Sequence, residues 1–234
     1  MIGVIGGMGP LATADYLNKV IAQTLAEDDA DHVPMLISND ARIPLRPSAI
    51  LKGTESPLPR LLQIRDMLLN AGATALAMPC NTAHYWYADL VAGCPVPFIS
   101  IIEASCLEAQ RLAGSGAAVG VVGTRATLAS KLFERCLVRH GMHALTPTDD
   151  ELDRLLLPAI AAVKAGWIAQ SGPLALEVLR GLSRRGATHI LLACTELPIA
   201  LAGMEASLPV VCIDTTLALA KATVAHWRTA QLIG

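Results

Sequence analysis

Gly72-Ala-Thr-Ala-Leu-Ala-Met-Pro-Cys80-Asn-Thr82 is echoed by Gly186-Ala-Thr-His-Ile-Leu-Leu-Ala-Cys194-Thr-Glu196. The glycines and the cysteines are separated by the same 114 residues, from 72 to 186 and from 80 to 194. In each copy a short apolar run reads as a buried strand, and the residues after the cysteine can open a helix. Two further echoes lie in the same order. Met1-Ile-Gly-Val-Ile-Gly-Gly7 resembles Ala118-Val-Gly-Val-Val-Gly-Thr124 at an offset of 117, and Val96-Pro-Phe-Ile-Ser100 resembles Leu208-Pro-Val-Val-Cys212 at an offset of 112. A period this long predicts duplicated domains rather than a solenoid, whose repeats run to tens of residues.

Strand and helix signals alternate along the chain. Strands are expected at Met1–Gly6, Pro34–Ser38, Thr74–Met78, Val119–Gly123 and His189–Ala193. Helices are expected at Pro10 to about Ala26, Pro57–Ala71, Thr127–Arg139, Asp149–Ala165 and Pro173–Arg185, with a terminal helix starting near Asp214-Thr215-Thr216. The stretch from Asn39 to Ser56, with Pro44, Pro47 and Gly53, reads as a loop. Continuous apolar strands alternating with helices predict parallel sheets covered on both faces. The expected fold is therefore α/β: two similar Rossmann-like lobes with parallel sheets, related by internal duplication, and an active site in the cleft between them. The first lobe is placed at residues 1–102 plus 212–234 and the second at 103–211. Ligands of open α/β sheets bind at the carboxyl ends of strands, where both cysteines fall.

Composition narrows the function. Of 234 residues, 53% are hydrophobic, 16% charged and only 3% aromatic, so aliphatic side chains must fill the interior. A net charge of −2, with no basic stripe and no aromatic platform, argues against nucleic acid as a partner. The longest uncharged stretch, Asn70 to Ala88, contains Pro79, Asn81 and His84 and does not read as a membrane span. Met1 leads directly into strand-like residues without a signal-peptide core, so a soluble, cytoplasmic protein is expected. The six cysteines, at 80, 94, 106, 136, 194 and 212, lack CxxC spacing. They read as reduced thiols rather than zinc ligands or disulfides, with Cys94, Cys106, Cys136 and Cys212 as small buried hydrophobes.

Cys80 and Cys194 carry more chemistry than packing requires. One thiol from each half-chain suits a reaction in which a proton leaves one face of a carbon and arrives on the other. A helix N-terminus after each cysteine would favour the thiolate, and the same N–H groups could hold a substrate carboxylate.

Gly-Gly-Met-Gly-Pro at 6–10, Met-Pro-Cys-Asn-Thr-Ala-His at 78–84 and Cys-Thr-Glu-Leu-Pro at 194–198 together resemble the aspartate/glutamate racemase superfamily, closest to its aspartate racemase branch. The resemblance spans essentially the whole chain. It implies a cofactor-independent amino-acid racemase, commonly a homodimer, acting on a small amino-acid substrate with Cys80 and Cys194 as the acid–base pair. It further implies that Arg46, in Ile43-Pro-Leu-Arg46, and Lys164, in Val163-Lys-Ala-Gly166, bind the distal carboxylate. A planar guanidinium fork and a point charge suit that group. Leu45 departs from the family pattern, which has Asp there, and leaves strict aspartate specificity open. Thr124 and Thr127 resemble the hydroxyls lining the site from the second lobe. Met8 and Gly9 would approach substrate by backbone, and Asn81, Thr82 and Thr195 would hold its carboxylate and amine. Glu196 could tune Cys194 or cap its helix, and His84 could tune Cys80 or pack.

Four alternatives stand beside aspartate: a broad-specificity amino-acid racemase, a hydantoin racemase, a maleate isomerase, and a binding protein that has lost catalysis. Gly7-Met-Gly-Pro-Leu-Ala12 loosely fits a dinucleotide fingerprint, but Pro10 crowds the turn and no acidic residue ends a second strand about 20 residues on.

Overall fold

A computed structural model describes residues 1–233. The chain forms two compact units, one comprising Met1–Ala104 with the chain from Thr216 onward, the other Ser105–Thr215. Each unit holds one four-stranded parallel sheet. In the first, β1 (Ile2–Gly6), β2 (Met35–Asn39), β3 (Ala75–Ala77) and β4 (Phe98–Ile99) lie in the order β2-β1-β3-β4. In the second, β5 (Ala118–Gly123), β6 (His143–Leu145), β7 (His189–Ala193) and β8 (Val211–Asp214) lie in the order β6-β5-β7-β8.

The registers repeat as well as the order. Gly3 pairs with Leu76 in the first sheet and Gly120 with Ile190 in the second, so the echoes at offsets 117 and 114 are aligned in space. The two glycines share a cause: a Cβ on Gly3 would lie 2.8 Å from Ala73 and Leu76 side-chain atoms, and one on Gly120 would lie 2.8 Å from Ile190. The last echo is corrected by two residues. Leu76 pairs with Phe98 and Ile190 with Cys212, so the fourth strands correspond at an offset of 114, not 112. A slip of two keeps the same residues on the same faces, which is why an apolar pattern alone does not reveal it.

The strands expected from the sequence form at their places: His189–Ala193 with the expected bounds, the others within a residue at either end. The helices needed more correction. Residues 39–56 are not all loop: Arg46–Lys52 is helical, with Pro47 in its first turn and Gly53 ending it at a left-handed φ of 62°. Proline is tolerated there because its missing N–H has no intrahelical acceptor. The helix expected at Thr127–Arg139 is two, Arg125–Ala129 and Leu132–Arg139, parted at Lys131, whose φ of 55° cannot continue a right-handed helix. The segment expected as one helix from Asp149 to Ala165 contains a π-helical turn at Leu152–Leu156 before its last stretch, Leu157–Lys164. The following helix begins at Ile168, ahead of Pro173, and runs to Arg184.

Each unit has its own aliphatic core. Ile5, Leu61, Leu68, Leu76, Met78 and Leu90 pack in the first; Val122, Leu156, Leu179, Leu182, Ile190 and Leu192 pack in the second. The terminal helix, Thr215–Ile233, is tied to the first unit by Tyr16 and Thr223, whose hydroxyls lie 2.7 Å apart. Burial pushes the Tyr16 phenol well above its ordinary range, so it stays neutral. No described helix is long and apolar enough to cross a membrane.

Candidate active-site residues in each unit

In the first unit the candidate residues follow the carboxyl ends of β1, β2 and β3. After β1 the chain turns through Gly7, Met8 and Gly9 into the helix Pro10–Gln23. Gly7 has φ +89°, and a Cβ there would fall 2.3 Å from the Asp40 backbone, so only glycine lets the loops after β1 and β2 touch. Thr13 secures the turn: the Gly7 amide donates to Oγ1 at 2.9 Å, and the hydroxyl donates to the Gly9 carbonyl at 3.1 Å. Met8 is buried, whereas a Cβ on Gly9 would meet nothing within 4 Å, so its backbone borders open space. The Asp40 carboxyl is held down to about 2 by the Arg42 backbone N–H and the guanidinium of Arg60, whose Nε donates to it at 2.8 Å. That ion pair fixes the loop after β2.

Arg46 begins the next helix and is buried, 8% exposed. Its Nη1 donates to the carbonyls of Ile43 and Pro44 at 3.0 and 3.1 Å, while its buried Nε has no partner within the protein. A cation so held keeps donors in reserve for an anion. Its helix contacts the 3-10 turn Thr82–Trp86 that follows Cys80. Leu45, preceding Arg46, is 66% exposed and offers that helix no side-chain cap.

Cys80 is a free thiol, 5% exposed, flanked by buried Asn81 and Thr82. His84 is fully buried beneath it and stacks on Tyr87, with ring centroids 5.3 Å apart. The Ile101 amide can only donate, so Nε2 accepts it at 3.2 Å; the Cys80 carbonyl can only accept, so Nδ1 carries the proton at 2.9 Å. Burial pushes His84 down to about 4, against the Cys80 carbonyl, which favours the charged ring. The imidazole is thus neutral and of fixed tautomer. Of its two expected roles the ring fills packing, against Tyr87, and in addition it ties the backbone of the cysteine turn. Sequence reasoning had no signal for Thr13, and for His84 only the spacing of four residues from Cys80.

In the second unit Thr124 follows β5 and caps the next helix: its hydroxyl accepts the Thr127 amide at 3.1 Å and lies 2.9 Å from the Thr127 hydroxyl. Cys194 follows β7 as a free thiol, 5% exposed. Its Sγ donates to Glu196 Oε2 at 2.9 Å, and the Thr195 hydroxyl donates to the same oxygen at 3.3 Å. Lys164, at the end of helix Leu157–Lys164, places Nζ 3.7 Å from the other oxygen, Oε1. Glu196 stands at the N-cap of Leu197–Ala200, yet its carboxylate makes no capping bond. The helix that was to lower this thiol is four residues long, and the balance runs the other way. Burial, then the Glu196 charge and its hydrogen bond, push the Cys194 thiol well up, and Lys164 only partly offsets them. Cys194 therefore rests protonated.

Of the remaining cysteines, Cys106 and Cys136 are buried as expected, whereas Cys94 and Cys212 are only half-buried and turn their thiols toward the carbonyls of Val96 and Val210.

The arrangement has relatives. The Asp/Glu/hydantoin racemase family profile matches residues 5–223, and the chain belongs to that family. It is an isomerase of the racemase class. A broad specificity amino-acid racemase of Bacillus subtilis (strain 168), RacX, is 28% identical over 235 residues, which cover 99% of this chain and all of that protein. The structure of Picrophilus torridus aspartate racemase superposes with a TM-score of 0.85 at 29% identity, covering 97% of this chain and 94% of that one. A glutamate racemase from Francisella tularensis subsp. tularensis SCHU S4, solved with D-glutamate, shares the fold at a TM-score of 0.71 and 20% identity, covering 99% and 81% of the two chains.

Proposed function

We propose that the protein interconverts L- and D-aspartate, or a related acidic amino acid, by cofactor-independent proton transfer at Cα, with Cys80 and Cys194 as the two bases. The observation that carries this reading is the repeat itself: each unit presents one free, buried thiol at the carboxyl end of the third strand of its sheet order, β3 or β7. One thiolate removes the α-proton while the other thiol delivers a proton to the opposite face. Arg46 and Lys164 are the cations assigned to the distal carboxylate. Met8 and Gly9 approach through the backbone, and Asn81, Thr82, Thr124, Thr127 and Thr195 supply polar contacts.

Leu45 supports a broader substrate range as the second reading. An exposed leucine beside Arg46 adds apolar surface where an acidic residue would add charge, and the Bacillus relative that matches the whole chain is named for broad specificity.

The test is incubation of reduced protein with L-aspartate in D₂O without added cofactor, followed by NMR of the α-proton and chiral chromatography. Deuterium incorporation with appearance of D-aspartate supports both chemistry and substrate. Incorporation only into neutral amino acids selects the broader reading, and no exchange with any amino acid rejects amino-acid racemisation and leaves hydantoins and maleate as the substrates to test. In a liganded crystal structure, sulfurs each within about 3–3.5 Å of one carbon would lie roughly 6–7 Å apart.

A further inference from the structure

We propose that Glu196 is the proton acceptor for Cys194, holding its thiol protonated at rest and taking that proton when the sulfur must act as a base. The inference rests on the two-thiol reading and adds a residue that acts through Cys194 rather than on substrate.

The geometry is contained within one unit. Cys194 and Glu196 are 5% and 6% exposed, and the Sγ to Oε2 distance of 2.9 Å is short for a thiol donor. Thr195 braces the same oxygen, and Lys164 faces the other at 3.7 Å. The carboxylate is therefore held between an ammonium and a thiol. Glu196, from the same turn, and Lys164, from the end of helix Leu157–Lys164, are the charged groups that act on Cys194. A thiolate against this carboxylate would place two like charges at hydrogen-bond distance in a buried site, which disfavours losing the thiol proton while the carboxylate is charged.

The step balances as follows. The Cα–H bond breaks and its electron pair stays on Cα. The proton bonds to Cys194 Sγ as the proton already on that sulfur passes to Glu196 Oε2. On the opposite face the Cys80 S–H bond breaks and its proton bonds to Cα. The reverse direction runs the same transfers backward, Glu196 returning its proton as Cys194 protonates Cα.

Glu196→Gln tests this, because an amide keeps the shape and accepts a hydrogen bond but cannot take the proton. Two quantities are read: the pH dependence of Cys194 alkylation by iodoacetamide, followed by peptide mass spectrometry, and α-proton exchange in D₂O. With the like charge gone, alkylation at neutral pH should rise by at least about tenfold, one pKa unit, while exchange falls roughly a hundredfold. Lys164→Met provides a second variant should the first not fold, and it should slow Cys194 alkylation. An unchanged alkylation profile in both variants would overturn the pairing. Faster alkylation with unimpaired exchange would overturn proton acceptance. If the wild-type protein exchanges no amino acid, the racemase reading and this catalytic role fall together, and the alkylation series still decides whether Glu196 controls the thiol.

Discussion

The His84 ring donates Nδ1–H to the carbonyl oxygen of Cys80 at 2.9 Å, so the candidate base is fixed through its backbone by a histidine that stays neutral. Burial is the larger influence on that ring, and it has a consequence for stability. A group whose folded pKa is depressed, here from 6.5 to about 4, binds its proton more readily unfolded. Its contribution is fully present above pH 6.5 and is lost as pH falls toward 4, by an amount on the order of 3 kcal/mol. Denaturant titrations at the two ends of that window should show the loss in the wild type and a smaller one in His84→Gln. Equal losses in both proteins would place the acid sensitivity elsewhere.

Cys80→Ala and Cys194→Ala should each lower net racemisation by roughly 10²–10⁴-fold, the usual worth of a positioned acid or base. Circular dichroism and thermal unfolding should change little beyond the cost of a small cavity. Retained inversion in either variant would show that the reaction does not need that sulfur.

Arg46→Ala removes a cation that also binds the Ile43 and Pro44 carbonyls. A charged hydrogen bond is worth about 1.5–3 kcal/mol, so kcat/KM for aspartate should fall by roughly 10- to 150-fold. Neutral amino acids, which have no distal carboxylate, should lose less. The comparison is made on one preparation with aspartate and alanine, and parallel losses would mean that Arg46 serves only the loop.

Gly7→Ala should destabilise the protein by on the order of 2–4 kcal/mol, because a Cβ at φ +89° would stand 2.3 Å from the Asp40 backbone. Thermal unfolding measures this directly. A melting temperature within a degree of wild type would show that the two loops can separate at little cost.

The sequence by itself determined the duplicated α/β plan and the two cysteines. Uninterrupted apolar runs such as Ile2–Gly6 and the Ile-Leu-Leu-Ala stretch at 190–193 suit strands buried on both faces, and a long-period repeat stays visible when its apolar and small residues stay in register. Local rules failed where a distant contact or a single backbone angle prevailed. Arg46–Lys52 reads as loop because proline and glycine crowd it, and the pattern does not show that Pro47 sits in a first turn. Lys131 breaks a helix by an angle no side-chain pattern records. Only tertiary structure decided the electrostatics of the thiols. Glu196, two residues beyond Cys194, suits a cap equally well, and Lys164 lies 30 residues earlier in the chain. Burial and folding turn that carboxylate onto the sulfur and bring the ammonium to its other oxygen. In a buried site, desolvation and a neighbouring charge outweigh the ends of a four-residue helix, so Cys194 rests as a thiol where its sequence surroundings suggested a thiolate.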